Sequence, residues 1–441
     1  MTLFDNQRMH PGVFDVDHRM RSGRYTDQYF LNVRNILERL AEENYRFAGK
    51  SPILEDRPLG EGAEVGNMEA EMQVFTKRRP FSIICGADNV LAILRECTGY
   101  WTDDASFQSS APDLEVEAVM DGEKAFPRDP CLKIRGRYRD YGYLETPILG
   151  TLARQTAVAT NTYRLLEAAD GKPVFFFPAR YDLPETQSAD GYAYKVGLDA
   201  YNNDTGRELP ALITSGAQGE WWGAEGGGTV SHSYILCFLG DCAEAMLHFC
   251  RTLPPEVNRI ALVDTTNDCV GTSVDTALTL FRRYMELRQR GENTEAGKYT
   301  LYGVRCDTAG NLRDSSVEPL GDPALDCGVV PRQITAVRRA LDNLHQSGEV
   351  PARWEEEARR YFRNIRIFVS GGFGTDKIAR FEKGGAPVDG YGVGSAFFGE
   401  GRNDFTADVV RVKLNGKWVH MAKSGRRAMP NNKLRECELN G

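Results

Sequence analysis

The spacing of apolar residues changes twice along this 441-residue chain. Near the start, Phe30, Val33, Leu37, Leu40 and Ala41 recur every three to four positions, which predicts an amphipathic helix over 24–47 with Thr26 placed to cap it. Between about 50 and 145 the rhythm is mixed. Gln73–Thr76 and Leu114–Met120 alternate apolar and polar residues as half-buried strands do, and a helix near Asn89–Cys97 interrupts them. From about 148 the pattern becomes a regular exchange of helical and strand-like segments. Leu149–Ala168 is helical in pattern, and Val174–Phe177 is a short buried strand. Leu209–Ser215 fits either state, and a helix over Asp241–Arg251 has Asp241 at its cap. Four apolar runs follow, each ending in polar residues or glycine: Ile260–Asp264, Tyr302–Asp307, Ile367–Gly372 and Asp389–Ser395. Helices are predicted after the first three, near Ser273–Arg290, Pro331–Ser347 and Thr375–Lys383, with Pro331 suited to a first helical turn. Asp408–Val412 and Lys417–His420 return to short strands. Tyr181–Leu209 and Arg305–Val330 read as long loops.

Repeated strand–loop–helix units predict an α/β barrel over 147–399, and mixed strands and helices predict a second α/β domain over 1–146 completed by 400–441. In barrels of this kind functional residues stand at the C-terminal ends of strands. Here those ends carry carboxylates, an arginine and glycines.

Composition narrows the possibilities. The net charge of −8 argues against a nucleic-acid binder with a broadly basic surface. No apolar run approaches the roughly 20 residues of a membrane-spanning helix, and Met1–Arg21 lacks the plan of a signal peptide, so a cytoplasmic location is expected. The ten cysteines are dispersed without a C-x-x-C pair, which indicates buried reduced thiols rather than a zinc or redox site.

The candidate chemistry lies at the strand ends. Ser370, Gly371 and Gly372 precede a helix, and Gly392, Gly394 and Ser395 close the last strand. Such glycines bring backbone N–H groups close to an anion such as phosphate, or else serve tight turns. Asp264 and Asp307 can accept hydrogen bonds from sugar hydroxyls or stand near hydrated magnesium, or they can cap the following helices. Arg305 lies two residues before Asp307 and therefore on the same strand face, where a guanidinium suits a carboxylate or phosphate. His232 follows a glycine run and stands among small polar residues; a catalytic and a structural role are equally open.

These segments, taken together, resemble the nicotinate phosphoribosyltransferase family over most of the chain. The resemblance rests on Ser22–Phe30, Glu145–Leu149, Phe177–Arg180, Gly228–Ser233, Leu262–Thr265, Gly303–Asp307, Val369–Gly372 and Gly392–Ser395, in the family's order. It implies an irregular α/β barrel with a discontinuous α/β sandwich built from both chain ends. The implied activity is of the ATP-dependent ligase type: nicotinate and 5-phosphoribosyl pyrophosphate give nicotinate mononucleotide with coupled ATP hydrolysis and Mg2+, in NAD salvage. It further implies that His232 is transiently phosphorylated, that Phe177 stacks on the pyridine, and that Tyr29, with Asp27, comes from the partner subunit of a homodimer. Arg305 and Arg180 would meet the carboxylate or phosphates, and Thr229 would line the substrate site. Asp264 and Asp307 would hold the ribose and support the magnesium diphosphate, and the glycines with Ser370 and Ser395 would bind the 5-phosphate. The run Phe177–Tyr181 lacks the second arginine of many relatives, and Cys437 stands alone near the C-terminus, so no zinc is expected. Quinolinate or nicotinamide as substrate, and a non-catalytic phosphosugar-binding barrel, are the competing readings.

Overall fold

Glu69–Thr76 lies inside a sheet whose strands come from both ends of the chain. The computed structural model describes residues 8–54, 59 and 62–439. These form two compact units, one of residues up to Tyr163 with Tyr192–Asp204 and Gly401 onward, the other of Arg164–Gly191 and Thr205–Glu400.

In the first unit a six-stranded antiparallel sheet runs in the order Lys417–His420, Phe405–Leu414, Glu69–Thr76, Pro130–Arg137, Glu115–Ala118, Arg435–Cys437. Met72, Val74, Val116, Leu132 and Ile134 from one face share a buried core with Val90, Ile93 and Leu94 of the helix Ala87–Cys97 and with Tyr141 and Tyr143. Fully burying each such aliphatic side chain contributes roughly 1.5–3 kcal/mol. Glu71, fully buried, receives Arg135 at 2.7 Å and Arg411 at 3.3 Å, so its charge is compensated on the spot.

The first helix is shorter than its periodicity predicts, Gln28–Glu42, and Asn44 leaves it at φ 52°, a left-handed position that asparagine tolerates. Thr26 does not cap it. Asp27 takes the N-cap place, while the Thr26 hydroxyl donates to the Tyr143 carbonyl. Phe30 and Arg34 turn inward, the guanidinium lying 4.2 Å over the Tyr143 ring, whereas Val33 and Ile36 are exposed.

In the second unit every strand pair is parallel. The order is Val174–Phe176, Gly390–Val393, Arg366–Val369, Gly303–Cys306, Ile260–Leu262. Phe176 also bridges Ile213 in parallel, which makes the ambiguous 209–215 segment an extended neighbour of the first strand. Backbone pairing among the described residues does not continue from Ile260–Leu262 to Ile213, so the ladder is open. Ile260, Leu262, Val304, Cys306, Ile367, Val369, Tyr391 and Val393 are buried, as parallel strands covered on both faces require. The helices Cys269–Gln289, Pro331–Asn343, Glu355–Arg363 and Thr375–Lys383 supply the crossovers.

The segment 181–209 is not the long loop that its mixed composition predicts. Gln187–Thr205 is a helix. Tyr192, Ala193, Tyr194, Val196, Leu198, Ala200 and Tyr201 are all buried, so the polar stripe that carries the Lys195–Asp199 pair is narrow and the helical period is weakly written. Gly197 lies where a Cβ would come within 2.3 Å of the Ala159 carbonyl, which explains a helix-weakening residue in its middle. No helix among the described residues is long and apolar enough to cross a membrane.

Candidate active site

The parallel strands of the second unit end side by side, and four of the anticipated side chains meet there. Arg305 is the hub. Its Nη1 donates to Ser370 Oγ at 2.9 Å and to Asp307 Oδ2 at 3.4 Å, and its Nη2 donates to the Val230 carbonyl at 3.3 Å. Ser370 Oγ donates in turn to Asp307 Oδ1 at 2.8 Å. The guanidinium lies 5.9 Å over the Phe177 ring. Burial lowers the arginine's pKa, opposed by the carboxylates of Asp307 and Asp264, and its Nε is buried without a hydrogen-bond partner among the described residues. A buried cation with one donor unused, flanked by a pyridine-sized aromatic face, suits a planar anionic ligand.

His232 begins the short helix His232–Cys237, whose N-cap Ser231 accepts from the Tyr234 N–H. The His232 Nε2 atom lies 3.1 and 3.0 Å from the two oxygens of Asp264. The carboxylate is nearly buried while the imidazole is 43% exposed, so the ring is held from behind and open in front. Burial raises the pKa of Asp264, and His232 opposes that shift. With Nε2–H donating to Asp264, the lone pair stands on Nδ1.

Neither strand-end aspartate caps a helix. The helix after Asp264 is capped by Asp268, which accepts from Gly271 N, while Asp314 accepts from Cys269 N. Both oxygens of Asp307 are taken by Ser370 and Arg305. Helix capping therefore does not account for either residue.

The glycines have visible steric work. Gly371 and Gly372 have φ of +92° and +66°, a turn that other residues adopt only under strain. A Cβ on Gly392 would stand 2.6 Å from the Phe177 ring, and one on Gly394 would stand 2.5 Å from the Tyr181 ring. The last strand thus leaves room for two aromatic rings. Ser395 is exposed at the start of the short helix Ala396–Gly399. Arg180 is exposed, 5.9 Å over the Tyr181 ring, and makes no hydrogen bond to Asp264, Arg305 or Asp307. Among the described residues Thr229 makes one long hydroxyl contact, 3.4 Å to the Val230 carbonyl. Asp27 and Tyr29 belong to the first unit. Asp27 accepts from Thr146 Oγ1 at 3.1 Å, and Tyr29 is 58% exposed with its ring 4.2 Å from that of Phe30.

Three neighbours escaped the sequence reading: Tyr181, Lys377 and Arg380. Tyr181 follows the Phe177–Arg180 run, and both cations lie in the helix after Gly371–Gly372. Their signal is proximity to motifs already noted rather than any motif of their own.

Among the described residues no group of three or more metal-ligating side chains is assembled. Two separated carboxylates, each already hydrogen-bonded, suit a magnesium ion carried chiefly by substrate oxygens and water rather than a protein cage.

Comparison with known proteins places this geometry. The family described as quinolinate phosphoribosyl transferase, N-terminal domain, matches residues 59–156. Nicotinate phosphoribosyltransferase from Bos taurus is 25% identical over 74% of this chain and 64% of its own length. The Mycobacterium tuberculosis nicotinate phosphoribosyltransferase pncB2 is 25% identical over 64% of this chain and 47% of its own. The chain thus spans less than two thirds of these curated relatives. Among solved structures, nicotinate-nucleotide pyrophosphorylase from Pyrococcus furiosus is 26% identical, with a TM-score of 0.62 over 94% of this chain and 81% of that one. Human nicotinic acid phosphoribosyltransferase, 17% identical with a TM-score of 0.53 over 88% of this chain and 75% of that one, shares the fold. Sequence relatives and structural neighbours agree: this chain is similar to nicotinate phosphoribosyltransferases and shares the fold of the human enzyme.

Proposed function

We propose that this chain is a nicotinate phosphoribosyltransferase, joining nicotinate to 5-phosphoribosyl pyrophosphate with coupled ATP hydrolysis in NAD salvage. The observation that carries the reading is the pairing of Arg305, 5.9 Å from the Phe177 ring, with the His232–Asp264 dyad at neighbouring strand ends. The pyridine ring lies on Phe177 and its carboxylate meets Arg305, whose unused Nε supplies a further donor. The pyridine nitrogen attacks the anomeric carbon, the bond to the diphosphate oxygen breaks, and pyrophosphate departs. The nitrogen carries a lone pair and no proton, so no general base is needed. Asp307 and Asp264 hold the ribose hydroxyls and favour the developing sugar cation. Asp264 and Asp307 are the residues that would stand near a magnesium ion brought in with the diphosphate, which would supply charge neutralisation for the leaving group.

His232 Nδ1, the nitrogen that the Nε2–Asp264 contact leaves free, attacks the terminal phosphorus of ATP; the bond to the bridging oxygen breaks, ADP leaves, and water later cleaves the N–P bond to release phosphate. Tyr29 and Asp27 complete the site from the partner subunit of a homodimer. A steady-state assay of purified protein with nicotinate, phosphoribosyl pyrophosphate and magnesium, with and without ATP, tests the whole reading; no mononucleotide product would sink it. His232→Ala is expected to fold normally and to lose ATP stimulation, and ATP-stimulated turnover at the wild-type level would remove the phosphohistidine role.

The match of residues 59–156 to a quinolinate transferase domain supports a second reading, quinolinate as substrate. Turnover of quinolinate with release of carbon dioxide and no ATP requirement would transfer the assignment there.

A further inference from the structure

The strand that carries Arg305 runs into Asp307 and Thr308, and Thr308 is tied to the starts of two helices. Gln333, in the first turn of the helix Pro331–Asn343, donates from Nε2 to Thr308 Oγ1 at 2.7 Å and to Cys269 Sγ at 3.1 Å. Cys269 opens the helix Cys269–Gln289, and its backbone N–H donates to Asp314 Oδ2 at 3.0 Å. The Cys269 thiol and the Thr308 hydroxyl stand 3.7 Å apart. Gln333, Cys269 and Asp314 are fully buried, and Thr308 nearly so. One amide thus pins the residue after Asp307 to both helices. It is an expensive group to keep there. Gln333 Oε1 is buried without a hydrogen-bond partner among the described residues. Turning the amide over would only exchange which of its ends is left over. A methionine of similar size would fill the space with no orphaned polar atom. Hydrogen bonds gained at one end of the amide are set against an unpaired acceptor at the other, which leaves little net stability. What the glutamine secures is a position.

We infer that Gln333 is a positioning residue: through Thr308 it sets the place of Asp307 against Arg305 and Ser370, and with it the grip of the site on the ribose hydroxyls. The inference rests on the reading above that Asp307 meets the sugar, but not on ATP coupling, on turnover or on the identity of the pyridine. Adjacent Cα atoms are held about 3.8 Å apart by a trans peptide, so a shift of Thr308 passes directly to Asp307. The Asp307 contact to Arg305 is already long, at 3.4 Å, and a small displacement breaks it.

Titration calorimetry of ribose 5-phosphate, with inorganic phosphate as the comparison ligand, tests this. The proteins are wild type, Gln333→Met, Thr308→Val, Thr308→Ser, Asp307→Asn and the double variant Gln333→Met/Asp307→Asn, each also followed by thermal unfolding. Gln333→Met is expected to weaken ribose 5-phosphate binding about fivefold or more, while phosphate binding changes by less than about twofold. Its melting temperature stays within about 2 °C of wild type or rises. Thr308→Val reproduces the loss, and Thr308→Ser, which keeps the hydroxyl, retains most of the affinity. In the double variant Gln333→Met adds less than about twofold to the loss of Asp307→Asn, because both changes act on one contact. In turnover, KM for phosphoribosyl pyrophosphate rises in Gln333→Met, whereas KM for nicotinate does not. A loss that adds in full to that of Asp307→Asn overturns the inference, and so does an equal loss for both ligands with a fallen melting temperature. If the wild type turns over nicotinate but Gln333→Met binds ribose 5-phosphate normally, only this inference fails. If no pyridine is turned over but the binding pattern holds, the proposed function fails and the role of Gln333 stands.

Discussion

Asp264 holds a charge that burial disfavours, and its hydrogen bonds to His232 oppose that shift. A nearly buried carboxylate held against a partly exposed imidazole is placed to orient that ring. Asp264→Asn keeps the shape and removes the charge. ATP stimulation is expected to fall at least tenfold, because the imidazole loses the partner that fixes its tautomer, while the melting temperature stays within about 2 °C of wild type. Parallel assays with and without ATP and a thermal melt decide it; a large loss of stability with intact coupling would make Asp264 structural.

At the scale of elements, the last parallel strand acts through what it lacks. Gly392 faces the Phe177 ring, and a methyl group there would lie 2.6 Å from the ring and 3.1 Å from the Ser370 side chain. Gly392→Ala is therefore expected to tilt Phe177 away from Arg305, raising KM for the pyridine substrate several-fold with a smaller effect on KM for the phosphosugar. Overpacking of this kind also costs about 1–3 kcal/mol of stability. Steady-state kinetics with each substrate varied in turn would show it, and equal effects on both KM values would contradict it. The strand ends were legible because apolar runs stop abruptly at Asp264, Asp307, Gly372 and Ser395. The ring behind Gly392 was not, since Phe177 lies far away in sequence and reaches the glycine only through the pairing of Val174–Phe176 with Tyr391–Val393. The helix Gln187–Thr205 was illegible for another reason: it is buried around most of its circumference, and a narrow polar stripe marks the helical period only weakly.

At the scale of the molecule, the first unit buries a titrating cluster. Asp121 is pushed up to about 7, first by burial and next by Asp88, against hydrogen bonds from Ala87 N and Tyr192 Oη. Glu145 is raised to about 7 as well, mainly by burial. The folded state keeps protons that the unfolded chain releases near pH 4, so stability falls as pH climbs from about 4 through 7 and levels off above. Asp121→Asn retains an acceptor for Ala87 N and cannot ionise. The wild-type melting temperature should drop between pH 5 and pH 8 by roughly 3 °C or more beyond the drop in the variant. Identical pH profiles would show that Asp121 does not titrate on unfolding in this range.

The sequence by itself determined the alternation of strands and helices, because a short buried strand and an amphipathic helix write different periods into the chain. It also determined which residue types stand at the strand ends, since those positions follow directly where an apolar run stops. Only the tertiary structure decided that Arg305, Asp307 and Ser370 share one hydrogen-bonded cluster, that His232 leans on Asp264, and that Gln333 reaches Thr308 beside Asp307. These are contacts between residues tens of positions apart. Their distances are set by strand order and register, and no local pattern along the chain encodes them.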